Sequence, residues 1–229
     1  MNIRIESMKR LSEWGDVSVT VKEGDGRSAE SLVFVVSGRF FNDTRPEIGE
    51  IDEEMLEALA TEAGVHAAFK RGINILRYTS LSKKALAQRL REKGIAAADA
   101  AAAVERLETF RYIQEKNSAV RVAQLAEKKG WGAARILREL KAKGYDDHAC
   151  SFVRSCLKQV SFERHAAEVL QKKFGGYPED ERERQRAYRL LVSYGYTGSE
   201  INRAFAALRD DDLDSLGRRD LLASLTVNK

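Results

Sequence analysis

A helix that ends in glycine recurs three times along this 229-residue chain and limits its fold more than any other feature. The clearest copy runs from Lys129 to Tyr145, KGWGAARILRELKAKGY. Its apolar residues fall at i, i+1 and i+4, which predicts one buried helical face. Gly144 ends the pattern, so we expect it to adopt the positive φ that glycine tolerates at a helix end. Similar copies end at Gly94 and Gly195.

The three copies keep one register. Gly144 lies 50 residues after Gly94, and Gly195 lies 51 residues after Gly144. Apolar residues stand four and eight positions before each glycine and one after it: Leu90, Leu140, Leu191; Leu86, Ile136, Ala187; and Ile95, Tyr145, Tyr196. A helical pattern precedes and follows each copy. The shared register favours three units of three helices, a helical repeat array, over an irregular all-α domain with chance similarity.

The fold predicted is mainly α, with three tandem three-helix repeats in an elongated, curved array and a small N-terminal antiparallel β element. The segments are 1–62, a β-rich extension with an acidic helix; 66–113, 114–161 and 162–211, the three repeats; and 212–229, a C-terminal tail. Trp131 lies in the turn before the second helix of the second repeat. We expect it to be largely buried there; an aromatic at a partner surface is the alternative, because tryptophan is enriched at binding hot spots.

The first 50 residues have the patterns of three strands. Ile3–Ile5 and Val17–Val21 alternate apolar with polar residues, and Leu32–Val36 is an apolar run. Three strands alone are marginally stable, so we expect the sheet to pack on the following helix, with Trp14 beneath it. Residues 45–49 are predicted to be a connector.

An acidic helix is predicted to follow the sheet. It covers residues 51–60, with Asp52 as the N-cap. Gly64 is expected to break it before the first repeat begins.

The sequence contains no recognisable catalytic set. A phosphate-binding loop is absent, and His66, His148 and His165 are scattered. His165 and Glu168 share a helical face, which alone is a weak metal signal. Two cysteines, Cys150 and Cys156, fit small buried residues better than a redox pair. We therefore predict a non-enzymatic protein without cofactor or metal.

The N-terminus lacks the apolar core of a signal peptide, and no window has ~20 continuous apolar residues. The protein is accordingly predicted to be cytosolic.

Positive charge is concentrated in the first two repeats. Residues 63–176 carry 23 Lys and Arg against 11 Asp and Glu, whereas residues 1–62 carry 7 against 14. Helical geometry places one set of cations away from the core: Lys84, Arg91, Arg138 and Lys141, with Arg135 at its border. This basic stripe is the predicted binding surface for a polyanion or an acidic protein; an ordinary solvated surface is the alternative.

Three stretches carry a resemblance to a known family. They are Leu76–Gly94 with its serine and spaced leucines; LETFRYI at 107–113 followed by Lys129–Gly144; and Leu190–Tyr196 with Ile201. Across about residues 67–208 they resemble the RecX family, bacterial regulators of the RecA recombinase. The chain departs from the family at Gln114-Glu115, where an acidic pair is usual, at Asn117-Ser118, where an aromatic usually follows, and at the GGYP loop of residues 175–178.

The resemblance implies a helical modulator that lies in the groove of the RecA–DNA filament. Such a protein would restrain recombinase and coprotease activity, and with them recombination, repair and the SOS response. Direct nucleic-acid binding through helix-turn-helix-like repeats is the alternative function, and a hydrolase or nuclease ranks last. The third helix of the first repeat is mostly alanine, which reads base edges poorly.

Overall fold

The structure is a computed structural model that describes residues 2–11, 15–24 and 30–216. The chain forms two compact units. The first unit comprises the described residues up to 80 together with 85–113, and the second comprises residues 81–84 together with 114–216.

The first unit begins with an antiparallel sheet whose described strands have the order β3-β2-β1-β4. They are β1 (Ile3–Arg10), β2 (Val17–Glu23), β3 (Glu30–Val36) and β4 (Gly49–Glu50). Val17, Val19 and Val21 are buried, which confirms the predicted alternation. The three predicted strands are confirmed as β1, β2 and β3. The prediction missed β4, because residues 49–50, assigned in part to a connector, pair with Arg4 and Ile5 of β1.

A short helix, α1 (Gly38–Thr44), follows β3 and was not predicted. Its N-cap is Ser37, whose hydroxyl accepts a hydrogen bond from the Phe40 amide. In the apolar run of β3 only Val36 is buried, and Val33 is 63% exposed because β3 is an edge strand with one face away from the core. Trp14 lies outside the described residues.

The next helix, α2 (Glu53–Leu76), is continuous over 24 residues. Asp52 caps it as predicted, with its carboxylate accepting from the Met55 amide at 2.8 Å. The predicted break at Gly64 is wrong. A Cβ at Gly64 would lie 2.4 Å from Oδ2 of Asp99, so this glycine serves a close helix contact within an unbroken helix. Leu59 joins the core of the sheet, which confirms that the sheet packs on this helix.

Two helices complete the first repeat, α3 (Lys83–Glu92) and α4 (Ala97–Thr109). Leu86 and Leu90 of α3 are fully buried. The α4 helix packs along α2 through small buried residues, Ala100 and Ala103, which allow the two helices to approach closely.

The second unit contains the remaining six described α-helices. They are α5 (Glu115–Glu127), α6 (Ala133–Ala142), α7 (Asp147–Leu157), α8 (Phe162–Phe174), α9 (Glu181–Tyr194) and α10 (Gly198–Arg209). A short 3-10 helix, Leu213–Leu216, follows, and residues 217–229 of the predicted tail lie outside the described residues. One apolar core runs through all six helices. Cys150 and Cys156 are buried free thiols within it, as predicted.

The predicted register is confirmed in all three copies. The residues four and eight positions before each glycine are fully buried: Leu86, Leu90, Ile136, Leu140, Ala187 and Leu191. Gly94, Gly144 and Gly195 have φ values of 83°, 78° and 92°. The common sequence pattern therefore corresponds to a common local structure.

Candidate partner-binding surface

The α6 helix, the second helix of repeat two, presents the central part of the predicted basic stripe. Ile136 and Leu140 turn inward, so Arg138 and Lys141 are left on the exposed face. At the end of α6 Gly144 is left-handed and Tyr145 returns to the core. The Tyr145 hydroxyl lies 2.7 Å from the Ser118 hydroxyl of α5. This end of the helix is fixed by its core contacts, and the exposed cations take no part in them.

The predicted cations differ in how far the chain itself neutralises them. Arg138, Lys84 and Arg91 are exposed and have no carboxylate within 4.0 Å in the described part of the chain. Lys141 lies 4.0 Å from Asp147, a solvent-exposed contact that contributes little. Three of the predicted charges are thus available to a partner, and Lys141 is nearly so.

Lys84 lies beside the end of α6. Its Cβ and Cδ are 3.2 Å from where a Cβ on Gly144 would be. The backbone of residues 81–84 is held there by Ser82, whose hydroxyl donates to the Lys143 carbonyl at 2.7 Å. The structure therefore places Lys84 beside the end of α6, the helix that carries Arg138 and Lys141. Arg91 lies in the last turn of α3, in the first unit.

Lys83, in the same segment, contacts the carboxylates of Glu115 and Asp146, unlike its neighbour Lys84. Its amide donates to Glu115 Oε1 at 3.2 Å, and its Nζ lies 3.4 Å from Glu115 Oε2 and 3.7 Å from Asp146. Burial raises the pKa of Glu115, and the nearby Asp146 adds to this effect. Asp146 has a lowered pKa because its carboxylate accepts the Ala149 amide as the N-cap of α7. Lys83 thus fixes the 81–84 segment, and Lys84 is left free.

Arg135 has a different role from the other predicted cations. Its guanidinium lies 4.1 Å from the ring centre of Trp131 and 5.4 Å from that of Tyr194. It also donates to the Ser193 carbonyl at 3.3 Å. Trp131 is partly buried against the core, in the turn where it was predicted. Arg135 therefore ties α6 to the end of α9, and its charge is already engaged within the chain.

Hydrogen bonds to backbone carbonyls join repeats two and three. The Gly132 amide donates to the Tyr194 carbonyl at 2.8 Å, and the Tyr196 hydroxyl donates to the Gly130 carbonyl at 2.9 Å. Burial raises the pKa of Tyr196, so this hydroxyl remains a neutral donor. Together with Arg135, these bonds fix the position of Trp131.

Four lysines that the sequence argument did not single out surround a groove beside this contact. They are Lys128 and Lys129 after α5, and Lys172 and Lys173 at the end of α8. The groove has a volume of about 480 Å³, and none of the four has a carboxylate within 4.0 Å among the described residues. Lys129 also lies 5.3 Å from the ring centre of Trp131. One Lys-Lys pair directly after α5 and another in the last turn of α8 were the available signal, but only the fold brings the two pairs together.

The floor of this groove holds the residues of the weak metal signal. His165 Nδ1 lies 3.8 Å from Glu127, and Glu168 pairs with Arg164 at 3.3 Å. In the described part of the chain no group of three or more His, Cys, Asp or Glu residues has the arrangement of a metal site. Nor does any described helix have the length and apolar character needed to cross a membrane.

Comparisons with known proteins identify relatives for this arrangement. The family model for the third three-helix domain of RecX matches residues 163–205, which lie within α8 to α10. Regulatory protein RecX of Bacillus velezensis is 30% identical over 164 residues, which cover 68% of this chain and 60% of the relative. RecX of Chromobacterium violaceum is 33% identical over 91 residues, 39% of this chain and 58% of the relative. The chain thus spans less than two thirds of the length of these two relatives.

Solved structures support the fold. A crystal structure of regulatory protein RecX matches with a TM-score of 0.67 at 17% identity, covering 91% of this chain and 99% of that one. The crystal structure of RecX from Lactobacillus salivarius matches with a TM-score of 0.53 at 19% identity, covering 64% of this chain and 97% of that one.

Regulatory protein RecX of Pseudomonas syringae pv. tomato is 32% identical over 130 residues, 56% of this chain and 82% of the relative. With that identity over most of a relative and the repeat architecture in common, this chain belongs to the RecX family of regulatory proteins.

Proposed function

We propose that this protein is a cytoplasmic regulator of the RecA recombinase that binds the RecA filament on single-stranded DNA. Its effect would be to restrain filament activity in recombination, repair and the SOS response. The observation that carries the proposal is a set of exposed cations in the second unit, of which only Lys141 has a carboxylate within 4.0 Å among the described residues. We call this set the basic surface: Lys84, Arg138, Lys141, Lys128, Lys129, Lys172 and Lys173.

The basic surface suits a partner with many negative groups. Its cations lie on or directly after α3, α5, α6 and α8, and core contacts hold the last three of these helices in place, so little conformational entropy is lost there by the backbone on binding. A recombinase filament on DNA offers both acidic protein surface and phosphates. Exposed charges attract over about 8 Å at physiological ionic strength, which favours many weak contacts over one strong site.

Direct binding to naked nucleic acid is the second candidate, and the lysine groove is the observation that favours it. Four lysines at one groove can neutralise several phosphates at once. Base stacking has less support, because both Lys129 and Arg135 already lie over the Trp131 ring. Such a protein would hold DNA through its backbone and with little sequence preference.

The decisive experiment compares binding to the RecA filament with binding to single-stranded DNA alone, by co-sedimentation over a range of salt concentrations. A filament regulator binds the filament much more tightly than DNA. A DNA binder holds both equally, with a steep salt slope set by the phosphates that it neutralises. Failure of the protein to sediment with either ligand would overturn both candidates.

A fourfold charge reversal tests the predicted stripe. In the variant Lys84→Glu, Arg91→Glu, Arg138→Glu and Lys141→Glu we expect filament affinity to fall about tenfold or more, although each charge alone contributes about 1 kcal/mol or less. The matched control reverses four other exposed cations without carboxylate partners in the described residues: Lys9→Glu, Arg71→Glu, Lys93→Glu and Lys158→Glu. Equal losses in both variants would mean that net charge, and not the position of the predicted stripe, controls binding.

A further inference from the structure

The first unit contains a second candidate site, whose lining is aromatic and acidic where the first site is basic. It is a cleft of about 800 Å³ between α1, α2 and α4, within the range of volumes that ligand sites have in proteins. Its apolar wall is an aromatic cluster in which Phe69 meets Phe110 and Tyr112 edge to face, with ring centres 5.9 Å apart in each case. Phe110 and Tyr112 remain 49% and 54% exposed.

The contacts with Phe69 account for only part of the surface of these two aromatics. They lie at the end of α4, where Arg111 takes the left-handed conformation at φ 59°. The helix end is closed by backbone alone, since the Tyr112 amide donates to the Leu107 carbonyl at 2.9 Å. Ile113 supplies the buried apolar residue after the cap. About half of each ring at 110 and 112 packs within the chain, and the exposed half can contact a partner, since exposed aromatics are typical of binding hot spots.

The charged walls of the cleft are already paired within the chain. Arg106 donates to both carboxylate oxygens of Glu62, at 2.9 and 2.6 Å, and the Ser37 hydroxyl donates to Glu62 at 2.6 Å. Burial opposes ionisation of Glu62, but these hydrogen bonds outweigh it and lower its pKa. On the other side Asp16 accepts from Lys70 at 2.6 Å and lies 3.0 Å from His66 Nε2. Both ion pairs are preformed, so they shape the cleft without needing a partner.

The charge left over at the cleft is negative. Arg39, Lys70 and Arg106, the Lys and Arg residues lining it, each have a carboxylate within 3.6 Å. Glu105 lines the same cleft, is exposed, and has no cation within 4.0 Å in the described part of the chain. Four carboxylates against three Lys and Arg side chains line the cleft, which disfavours a phosphate ligand. The complementary ligand is an apolar side chain with a lysine or arginine beside it.

We propose that this cleft binds a peptide segment of the recombinase protein, with an apolar side chain against Phe110 and Tyr112 and a basic side chain near Glu105. This inference rests on the proposed function and adds a second, apolar contact to the filament. The two contacts differ in their response to salt. High ionic strength weakens binding through the basic surface, because salt screens exposed charges. It does not weaken binding through burial of aromatic rings.

The test measures binding of the full chain to RecA filaments on single-stranded DNA, at low and at high salt. We expect Phe110→Ser with Tyr112→Ser to weaken binding about tenfold or more, and to do so at both salt concentrations. Tyr78→Ser is the matched control, because Tyr78 is an 89% exposed aromatic of the same unit outside the cleft. It should bind as the parent does. Circular dichroism and thermal melting establish that each variant is folded.

A second variant keeps the test decisive if the double substitution unfolds the unit. Glu105→Lys changes only an exposed side chain, and we expect it to weaken binding a few-fold at low salt and little at high salt. If the parent binds the filament while Glu105→Lys and the folded cleft variant bind equally well, the inference is wrong and the proposed function stands. If the parent itself does not bind the filament, both are wrong.

Discussion

Gly144 and Gly195 end equivalent helices in the same left-handed conformation, yet their surroundings differ. A Cβ on Gly195 would lie 2.5 Å from the Arg135 amide nitrogen, which is backbone and cannot move aside. A Cβ on Gly144 would meet Lys84 at 3.2 Å and the Ser82 hydroxyl at 3.3 Å, both of them side-chain atoms. The same sequence signal therefore stands at a tight backbone contact in one copy and at an adjustable side-chain contact in the other.

The residue opposite each glycine explains the difference. Gly132 has no side chain, so its amide approaches closely enough to donate to the Tyr194 carbonyl at 2.8 Å. In the equivalent contact Ser82 spans the distance with its hydroxyl, which donates to the Lys143 carbonyl at 2.7 Å. The contact between the backbones at Gly132 and Gly195 has no room for a Cβ on either residue. The contact at Gly144 is made by side chains, which can move to admit a Cβ. Four glycine-to-alanine substitutions test this contrast through the free energy of unfolding.

The largest effect is expected for Gly195→Ala. The substitution combines the cost of a left-handed alanine, about 1–2 kcal/mol, with overpacking against the Arg135 backbone, about 1–3 kcal/mol. Urea denaturation followed by circular dichroism should show a loss of about 3 kcal/mol or more. A loss below that of Gly144→Ala would contradict the assigned backbone contact.

Gly132→Ala isolates the close approach from backbone strain. Gly132 has φ −78°, which alanine adopts readily, but its Cβ would lie 2.6 Å from the Gly195 carbonyl. We expect a loss of about 2 kcal/mol from overpacking alone. Equal stability of variant and parent in the same denaturation experiment would show that this contact is looser than the structure has it.

Gly144→Ala should cost less than either. The left-handed conformation contributes about 1 kcal/mol, and the flexible Lys84 side chain can yield to the added methyl group. We expect a total of about 1.5 kcal/mol. The double variant Gly144→Ala, Lys84→Ala is the control, and it should recover the part of the loss that comes from this contact.

Gly94→Ala gives the smallest expected effect and the baseline for the series. Gly94 has φ 83°, and no described atom beyond its chain neighbours lies within 4 Å of its added Cβ. Only the left-handed conformation is penalised, at about 1 kcal/mol. A thermal melt that places Gly94→Ala below Gly195→Ala in stability would reverse the comparison on which the series depends.

The sequence predicted local structure well where one rule acts alone. Helix ends at glycine, inward-facing leucines and the alternating valines of β2 all follow from backbone sterics and periodic burial, which act over a few residues. The break predicted at Gly64 is wrong, because glycine there permits a close contact between two helices and does not end the helix. Lack of a side chain admits Asp99 of α4, a residue 35 positions away, and no local rule detects that contact.

The candidate site shows the same division. Arg138 and Lys141 could be placed on an exposed face from helical periodicity alone, and the structure has them exposed. Periodicity also placed Arg135 at the border of the stripe, but its binding to Trp131, Tyr194 and Ser193 depends on α9 packing beside it. The four groove lysines were missed for a like reason, since α5 and α8 meet only in the folded unit.

The sequence by itself determined the buried face of each helix and its left-handed end, because these depend on neighbours three to eight residues apart. It also determined the repeat and its register, because the same local pattern recurs after 50 and 51 residues. Tertiary structure alone decided which glycines are tight, which cations are already engaged, and that Phe110 and Tyr112 share a cleft with Glu105. Those properties depend on contacts between residues far apart in the chain. The energies of these contacts change when interatomic distances differ by a few tenths of an ångström. The sequence pattern does not contain such distances.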